Sequence, residues 1–110
     1  MNFKEYQQKA VSTAIYPRKH KIIYPALGLG DEAGEVLGKI KKWLRGDDGQ
    51  EALTKERKLA IADEMGDVLW YLAVLSNDLK IPLEEIANNN LKKLKSRKDR
   101  GMIRGSGDKR

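Results

Sequence analysis

The fold is decided by residues 30–75, which read GDEAGEVLGKIKKWLRGDDGQEALTKERKLAIADEMGDVLWYLAVL. Glu32 and Glu35 lie three residues apart near the start of this stretch, and Glu64 and Asp67 repeat that spacing near its end. Residues three apart share one face of an α-helix, so each half places two carboxylates on one face. Apolar residues recur at helical spacing around both pairs, which predicts two helices.

The two acidic pairs are related to each other by position. If the helices fold into an antiparallel hairpin, residues that face each other have numbers with a constant sum. Glu32 with Asp67 and Glu35 with Glu64 have the same sum, and the centre of that hairpin falls within Gly46-Asp47-Asp48-Gly49-Gln50. This segment has the composition of a turn. We therefore expect four carboxylates at one level of the hairpin.

Four carboxylates that face one another repel, and burial increases the repulsion. A divalent cation would relieve it, and ligands that are all oxygen favour Mg²⁺, with Mn²⁺ as a possible substitute. The alternative is that these residues are ordinary solvated acids. A di-iron carboxylate bundle is excluded because it needs Glu-x-x-His on two helices, and the only histidine is His20, which is predicted to lie in a loop.

Two further helices complete the predicted fold. Asn2 with Glu5 three residues later forms a capping-box pattern, and the helix it opens should stop before Tyr16-Pro17. Pro82 opens the last helix. The predicted elements and boundaries are a loop at 17–24, a second helix after Pro25, a third from the N-cap Thr54 to about Lys80, and an irregular basic tail at 101–110. Residues 1–100 are thus predicted to form one all-α domain, an antiparallel helical hairpin core within a four-helix bundle-like unit.

Composition limits the class of protein. The 110 residues contain no cysteine and no apolar run long enough to span a membrane, so we expect a cytoplasmic protein. The formal net charge of +6 is unevenly distributed. Residues 92–110 contain nine basic and two acidic residues, which leaves the body of the chain nearly neutral. A basic tail is compatible either with phosphate contacts or with a solvated helix end.

Val68–Leu75 is apolar on every side of the predicted third helix, and a lone chain of this size cannot easily enclose it. Gly30, Gly34 and Gly38 recur along the second helix, where each costs about 1 kcal/mol relative to alanine. Close approach of another helix or a ligand would account for them. We therefore expect a homo-oligomer, either a dimer or a tetramer.

The segments Gly30–Val36 and Asp63–Leu72 resemble the MazG-like family of all-α nucleoside triphosphate pyrophosphohydrolases. The resemblance extends from about Phe3 to the C-terminal Gly-Ser-Gly-Asp segment. It implies an all-α pyrophosphatase fold and hydrolysis between the α- and β-phosphates, which yields a nucleoside monophosphate and pyrophosphate. The residues that it implies as magnesium ligands are Glu32, Glu35, Glu64 and Asp67.

Glu35 is favoured as the group that accepts the proton from the attacking water, and Glu64 is the second catalytic candidate. Tyr71 follows Asp67 by four residues and either contacts substrate or belongs to the core. Lys39 follows Glu35 by four residues and either reaches a phosphate or forms an ion pair with Glu35.

Asn90, Lys93 and Arg97 share one face of the fourth helix and are predicted to bind the phosphates or the sugar of a nucleoside triphosphate. Two other classes of function stay open. A small basic helical protein could bind nucleic acid through its tail without catalysis, or the chain could be a structural oligomerisation module. The facing carboxylates disfavour nucleic-acid binding because they repel phosphate unless a metal is present.

Overall fold

A computed structural model describes residues 1–47, 49 and 52–110. In this part of the chain all regular structure is helical, which confirms the all-α prediction. None of these helices is both long enough and apolar enough to cross a bilayer. The elements are α1 (Phe3–Val11), a 3₁₀ turn (Arg18–His20), α2 (Ile23–Arg45), α3 (Lys55–Asp78) and α4 (Leu83–Asp99).

The predicted starts of α1, α3 and α4 are confirmed, those of α1 and α3 by side-chain caps. The Asn2 side chain accepts a hydrogen bond from the Glu5 amide at 2.9 Å and also donates one to the Glu5 carboxylate, so Asn2 caps α1. The Thr54 hydroxyl accepts from the Arg57 amide at 3.2 Å. Pro82 precedes the first residue of α4. Side chains that satisfy the first amides of a helix fix where it begins.

The prediction that the second helix follows Pro25 was wrong, because α2 begins two residues earlier at Ile23. The first amides of a helix have no acceptor within it, so a proline in the first turn removes no hydrogen bond. Gly46, in the left-handed conformation at φ 67°, ends α2 where the turn was predicted. Asp48 and Gln50 of that predicted turn lie outside the described residues.

Helices α2 and α3 form the antiparallel hairpin, and α1 packs across α3. Gly28 lies directly against the ring of Tyr71, and their residue numbers have the same sum as the two predicted acidic pairs. The register of the hairpin is therefore as predicted. Helix α4 packs on α1 and on α3 but makes no extended contact with α2.

The hydrophobic core is small and lies where α1, α3 and α4 meet. Ala10, Ala73 and Leu83 are buried there, with Tyr6 and Trp70 packed against them. Gln7, a half-buried residue of α1, connects the three helices. The Gln7 side chain donates to the carbonyl oxygen of Ala73 at 3.0 Å and accepts from the amide of Leu83 at 3.1 Å.

A buried carboxylate holds the segment that leads into α2. Asp78, at the end of α3, is 3% exposed. It accepts hydrogen bonds from the Tyr16 hydroxyl and from the amide of Ile22. Ile22 has φ 71°, in the region that β-branched residues avoid. Burial and the bond to Asp78 raise the pKa of Tyr16 to about 12, so this hydroxyl stays a donor at neutral pH.

The apolar stretch Val68–Leu75 is only partly enclosed within one chain. Ala73 and Val74 are buried, whereas Leu72 is 39% exposed. Its other residues are half-buried. The expectation that one chain cannot cover this stretch agrees with these exposures, and the second chain that would cover it stays a prediction.

We predict that Asp78→Ala lowers the free energy of unfolding by about 2–3 kcal/mol, because it leaves a hydroxyl and an amide without their acceptor. Urea denaturation would measure the loss. The matched control is Asp99→Ala, since Asp99 is exposed and, among the described residues, pairs with Lys95 along α4. That control should change stability by about 0.5 kcal/mol or less. Equal stability of the two variants would contradict the anchoring role of Asp78.

Candidate functional site

Three of the four predicted carboxylates come together on the inner faces of the hairpin. Glu32 of α2 and Glu64 and Asp67 of α3 each offer an oxygen, and these atoms all lie within 4.8 Å of one another. Glu32 and Glu64 are half-buried, and Asp67 is exposed. The group is therefore open to solvent on one side, where a ligand could enter. We call these three residues the carboxylate cluster.

The cluster carries unbalanced negative charge. Partial burial, followed by the nearby charges of Asp67 and Glu64, raises the pKa of Glu32 above its ordinary value. The ammonium group of Lys39 lies 4.0 Å from a carboxylate oxygen of Glu64, so it offsets part of this charge. The sequence had suggested an ion pair of Lys39 with Glu35 along the helix, but the contact in the structure crosses from α2 to α3.

The donor set of the carboxylate cluster fits a hard divalent cation. All its donors are carboxylate oxygens, which Mg²⁺, Mn²⁺ and Ca²⁺ prefer over softer ligands. Two oxygens on opposite sides of such an ion lie roughly 4–5 Å apart, about twice the metal–oxygen distance. The spacing of up to 4.8 Å in the cluster is of this order.

Glu35, the fourth predicted carboxylate, is not a member of the cluster. It lies one helical turn beyond Glu32 on α2 and is exposed. Its assignment as a metal ligand stays a prediction, as does its assignment as the proton acceptor. Both roles require only that its side chain reach the space beside the cluster.

Tyr71 lies at the edge of the carboxylate cluster and also packs within the hairpin, so both alternatives from the sequence describe part of its environment. Its ring rests on Gly28, where an added methyl group would lie 2.1 Å from a ring carbon. Its ring centroid is 6.4 Å from that of Tyr24. Burial, then a hydrogen bond with Tyr24 and the charge of Glu32, raises the pKa of Tyr71.

Sequence reasoning missed Tyr16 and Tyr24, which extend this aromatic surface. Their rings are stacked with centroids 5.0 Å apart, and Tyr24 in turn contacts Tyr71. Tyr24 had been placed in a loop because α2 was expected to begin after Pro25. Once α2 is known to include Tyr24, helical spacing places it one turn before Gly28 and on the side that faces α3.

The predicted substrate-binding residues of α4 lie apart from the carboxylate cluster within one chain. Asn90 is exposed. Lys93 and Arg97 contact Asp108 of the C-terminal tail, at 3.4 and 3.6 Å. In the described part of the chain no ion pair joins them to the cluster. The prediction that they share a helix face holds, but that face is turned toward the tail.

A comparison with protein-family models identifies the family to which this arrangement of helices and carboxylates belongs. Residues 22–102 match the model of the MazG nucleotide pyrophosphohydrolase domain, and this segment contains the whole hairpin and the carboxylate cluster. The chain belongs to the MazG family. The all-α fold and the resemblance drawn from the two acidic motifs are thereby confirmed.

A phage protein is similar to this chain over a longer stretch. The Gene 37 protein of Mycobacterium phage L5 is 46% identical over 111 residues, which cover 96% of each chain. Its name states no activity. No solved structure matches this MazG family member. All nine predicted site residues lie within the matched domain, whereas most of the C-terminal tail lies beyond it.

We predict that Mg²⁺ stabilises this MazG protein through the carboxylate cluster. At a concentration 100-fold above its Kd, Mg²⁺ should raise Tm by about 10 °C, because an ion that binds only the folded state shifts the unfolding equilibrium. Differential scanning fluorimetry with and without EDTA would measure the shift.

Glu32→Gln should abolish most of that shift. Without metal it should raise Tm by a few degrees, because the raised pKa of Glu32 means that its charge is unfavourable in the folded protein. Asp63→Asn is the matched control, since Asp63 is exposed, neighbours Glu64 and lies outside the cluster. A full Mg²⁺ response in Glu32→Gln would exclude the cluster as the metal site.

Proposed function

We propose that this protein is a Mg²⁺-dependent nucleoside triphosphate pyrophosphohydrolase that releases a nucleoside monophosphate and pyrophosphate. The observation that carries the proposal is the carboxylate cluster, three acidic side chains from two antiparallel helices within 4.8 Å of one another in a MazG domain. Carboxylates in this number disfavour a phosphate-bearing substrate unless a cation lies between them. A metal-dependent reaction on phosphates would account for a carboxylate cluster in a protein that binds a phosphate-bearing substrate.

Each residue of the cluster has a role in this proposal. Glu32, Glu64 and Asp67, with Glu35 at the rim, would hold Mg²⁺, and Mn²⁺ could substitute. The ion would supply charge compensation for the phosphates and would make nearby water more acidic. Water adds to one of the phosphorus atoms that flank the α–β bridging oxygen, and the bond to that oxygen breaks. A carboxylate oxygen of Glu35 accepts the proton of the attacking water.

Lys39 and Tyr71 are proposed to contact the substrate next to the cluster. The Lys39 side chain is 34% exposed, so its ammonium group can exchange Glu64 for a phosphate oxygen. Tyr71 offers an aromatic ring and a hydroxyl, and burial raises the pKa of that hydroxyl further above its ordinary value. On α4, Asn90, Lys93 and Arg97 are proposed to contact the phosphates or the sugar.

Nucleic-acid binding through the basic tail is a weaker candidate. Several of its cations are already engaged in contacts within the chain. Lys95 pairs with Asp99, the guanidinium of Arg100 donates to the Ser96 hydroxyl, and that of Arg110 donates to backbone carbonyls. Counterion release from a polynucleotide requires cations that reach its phosphates. We therefore propose a nucleotide, rather than a nucleic acid, as the partner.

We also propose that the protein works as a homo-oligomer. One chain exposes 8291 Å², whereas a compact monomer of 12.5 kDa would expose about 6,200 Å². Its radius of gyration of 17.1 Å likewise exceeds the roughly 13 Å of a compact domain of this length. An excess of about 2,000 Å² per chain is of the size that obligate dimers bury.

The outer face of α2 is the surface that best fits a second copy. Leu27 and Leu37 are each 70% exposed and Leu44 is 85% exposed, and the three lie on one stripe with Gly30 and Gly34. Apart from the adjoining residues of α2 itself, no atom of the described residues lies within 4 Å of a methyl group added at either glycine. Glycines between exposed leucines allow another helix to approach the backbone closely.

The reaction is tested by a panel of nucleoside triphosphates with Mg²⁺, in which pyrophosphate and orthophosphate are measured separately. We expect pyrophosphate and monophosphate in equal amounts, and no hydrolysis in EDTA. Glu64→Gln should lower kcat at least 100-fold and also remove the Mg²⁺-dependent rise in Tm. Release of orthophosphate, or near-normal turnover by Glu64→Gln, would overturn the proposed reaction.

Glu35→Gln separates the two roles predicted for Glu35. If Glu35 accepts the proton, this variant should lose activity and keep the Mg²⁺-dependent rise in Tm, because the three residues of the cluster remain intact. If Glu35 is mainly a ligand, activity and the Tm response should fall together. Retention of both would remove Glu35 from the site.

Assembly is tested by sedimentation at micromolar concentration. The wild-type chain should be at least a dimer, and Gly34→Leu should shift it toward the 12.5 kDa monomer because a large side chain blocks close approach. Lys58→Leu is the control, since it adds the same side chain at another exposed helical position, on α3. A wild-type monomer, or an assembly unaffected by Gly34→Leu, would contradict the proposed interface.

A further inference from the structure

The last ten residues fold back on the end of α4. We call residues 101–110 the C-terminal clasp. The guanidinium of Arg97 donates to the carbonyl oxygens of Asp108 at 2.6 Å and Gly107 at 3.5 Å. The side chain of Arg110 donates to the carbonyl oxygens of Met102, Ile103 and Gly107. Arg97 and Arg110 thus fix the path of the clasp by donating to its backbone carbonyls.

The charge of Arg97 is poorly compensated for a buried group. Arg97 is 5% exposed, and its Nε has no hydrogen-bond partner in the described part of the chain. A buried charge is unfavourable unless an opposite charge or several hydrogen bonds accompany it. The carboxylate that accompanies Arg97 is that of Asp108, whose side chain is 87% exposed.

Asp108 is a loose counterion for two cations. One of its carboxylate oxygens lies 3.6 Å from Arg97 Nη2 and 3.4 Å from Lys93 Nζ. Close pairs between such groups are about 2.7–2.9 Å long, so neither contact is tight. The two cations lower the pKa of Asp108, so it remains an anion at neutral pH. A solvated carboxylate that bridges two cations at these distances is readily exchanged.

We propose that Lys93 and Arg97 form an oligophosphate-binding site that Asp108 occupies until the phosphate chain of a ligand displaces its carboxylate. A phosphate group offers more charge and more acceptor oxygens than one carboxylate, and a guanidinium binds it well. The backbone contacts of Arg97 and Arg110 hold the clasp in place during this exchange. The proposal rests on the substrate role of α4 in the proposed function and adds its regulation by Asp108.

The clasp keeps the Asp108 carboxylate beside Lys93 and Arg97, where it competes with any anion that binds them. Because Asp108 belongs to the same chain, its local concentration at Lys93 and Arg97 does not fall when the protein is diluted. A weakly binding anion therefore always has to displace it. Ligands with two or more linked phosphates overcome it more readily than single phosphates or carboxylates. Asp108 thereby makes the site selective for oligophosphates over single phosphates and carboxylates.

The test is calorimetric titration of the intact protein with inorganic pyrophosphate in EDTA. Asp108→Asn should bind pyrophosphate about two- to fivefold more tightly than wild type, which is the range expected for loss of an exposed ion pair. Asp99→Asn is the matched control, because it removes an exposed carboxylate that pairs with Lys95 on the same helix. Its affinity for pyrophosphate should be unchanged.

Lys93→Ala should weaken pyrophosphate binding, and Asp108→Asn should give little or no gain in the Lys93→Ala background, because the two residues act through one contact. Unchanged or weaker binding by Asp108→Asn with Tm retained would overturn the proposal. A large fall in Tm for Asp108→Asn without tighter binding would assign Asp108 to folding alone and would overturn it equally.

Binding of pyrophosphate is measured without turnover, so this result is independent of catalysis. If no nucleotide is hydrolysed but Asp108→Asn binds pyrophosphate more tightly, the anion site stands and the proposed reaction fails. A single-stranded oligonucleotide is titrated in parallel. If only the oligonucleotide binds more tightly to Asp108→Asn, the site serves a polynucleotide and the proposal is wrong.

Discussion

The contact between Gly28 and Tyr71 fixes the geometry on which the site depends. A side chain at position 28 would collide with the tyrosine ring, so only glycine lets the two helices meet there at this distance. Glu32 follows Gly28 by one helical turn, and Asp67 precedes Tyr71 by one turn. In an antiparallel hairpin these two steps run in the same direction. The close contact and the carboxylate cluster are therefore two consequences of one register.

The negative charge of the carboxylate cluster lowers the stability of the fold. Partial burial and the neighbouring acids raise the pKa of Glu32, which means that the folded chain is less stable when Glu32 is ionised. The stabilising contacts lie elsewhere. Gln7 joins α1, α3 and α4 around the core, and Asp78 holds Ile22, the strained residue that precedes α2. Anchors in the C-terminal part of α3 thus offset the unfavourable charge of the carboxylate cluster.

The sequence predicted what depends on helical period and missed what depends on long-range contacts. The register of the hairpin followed from the equal sums of the acidic pairs, and the caps at Asn2 and Thr54 followed from local rules. Tyr16 was missed because its partner Asp78 lies 62 residues away. Helical spacing placed Lys93 and Arg97 on one face, but it contains no information on what faces them. The carboxylate of Asp108 was found there only because the tail folds back.

Helix α2 carries two surfaces, and through them the proposed assembly would affect the site. Its inner face carries Gly28 and Glu32 toward α3, while its outer stripe presents Leu27, Gly34 and Leu37 to solvent in a single chain. Within one chain, the described contacts of this 23-residue helix are mainly with α3 along its inner side, and these are the contacts that resist bending. A second copy on the outer stripe would oppose that bending and keep Glu32 within reach of α3. The proposed interface and the carboxylate cluster would then stabilise one another, because both require the same straight and fixed α2.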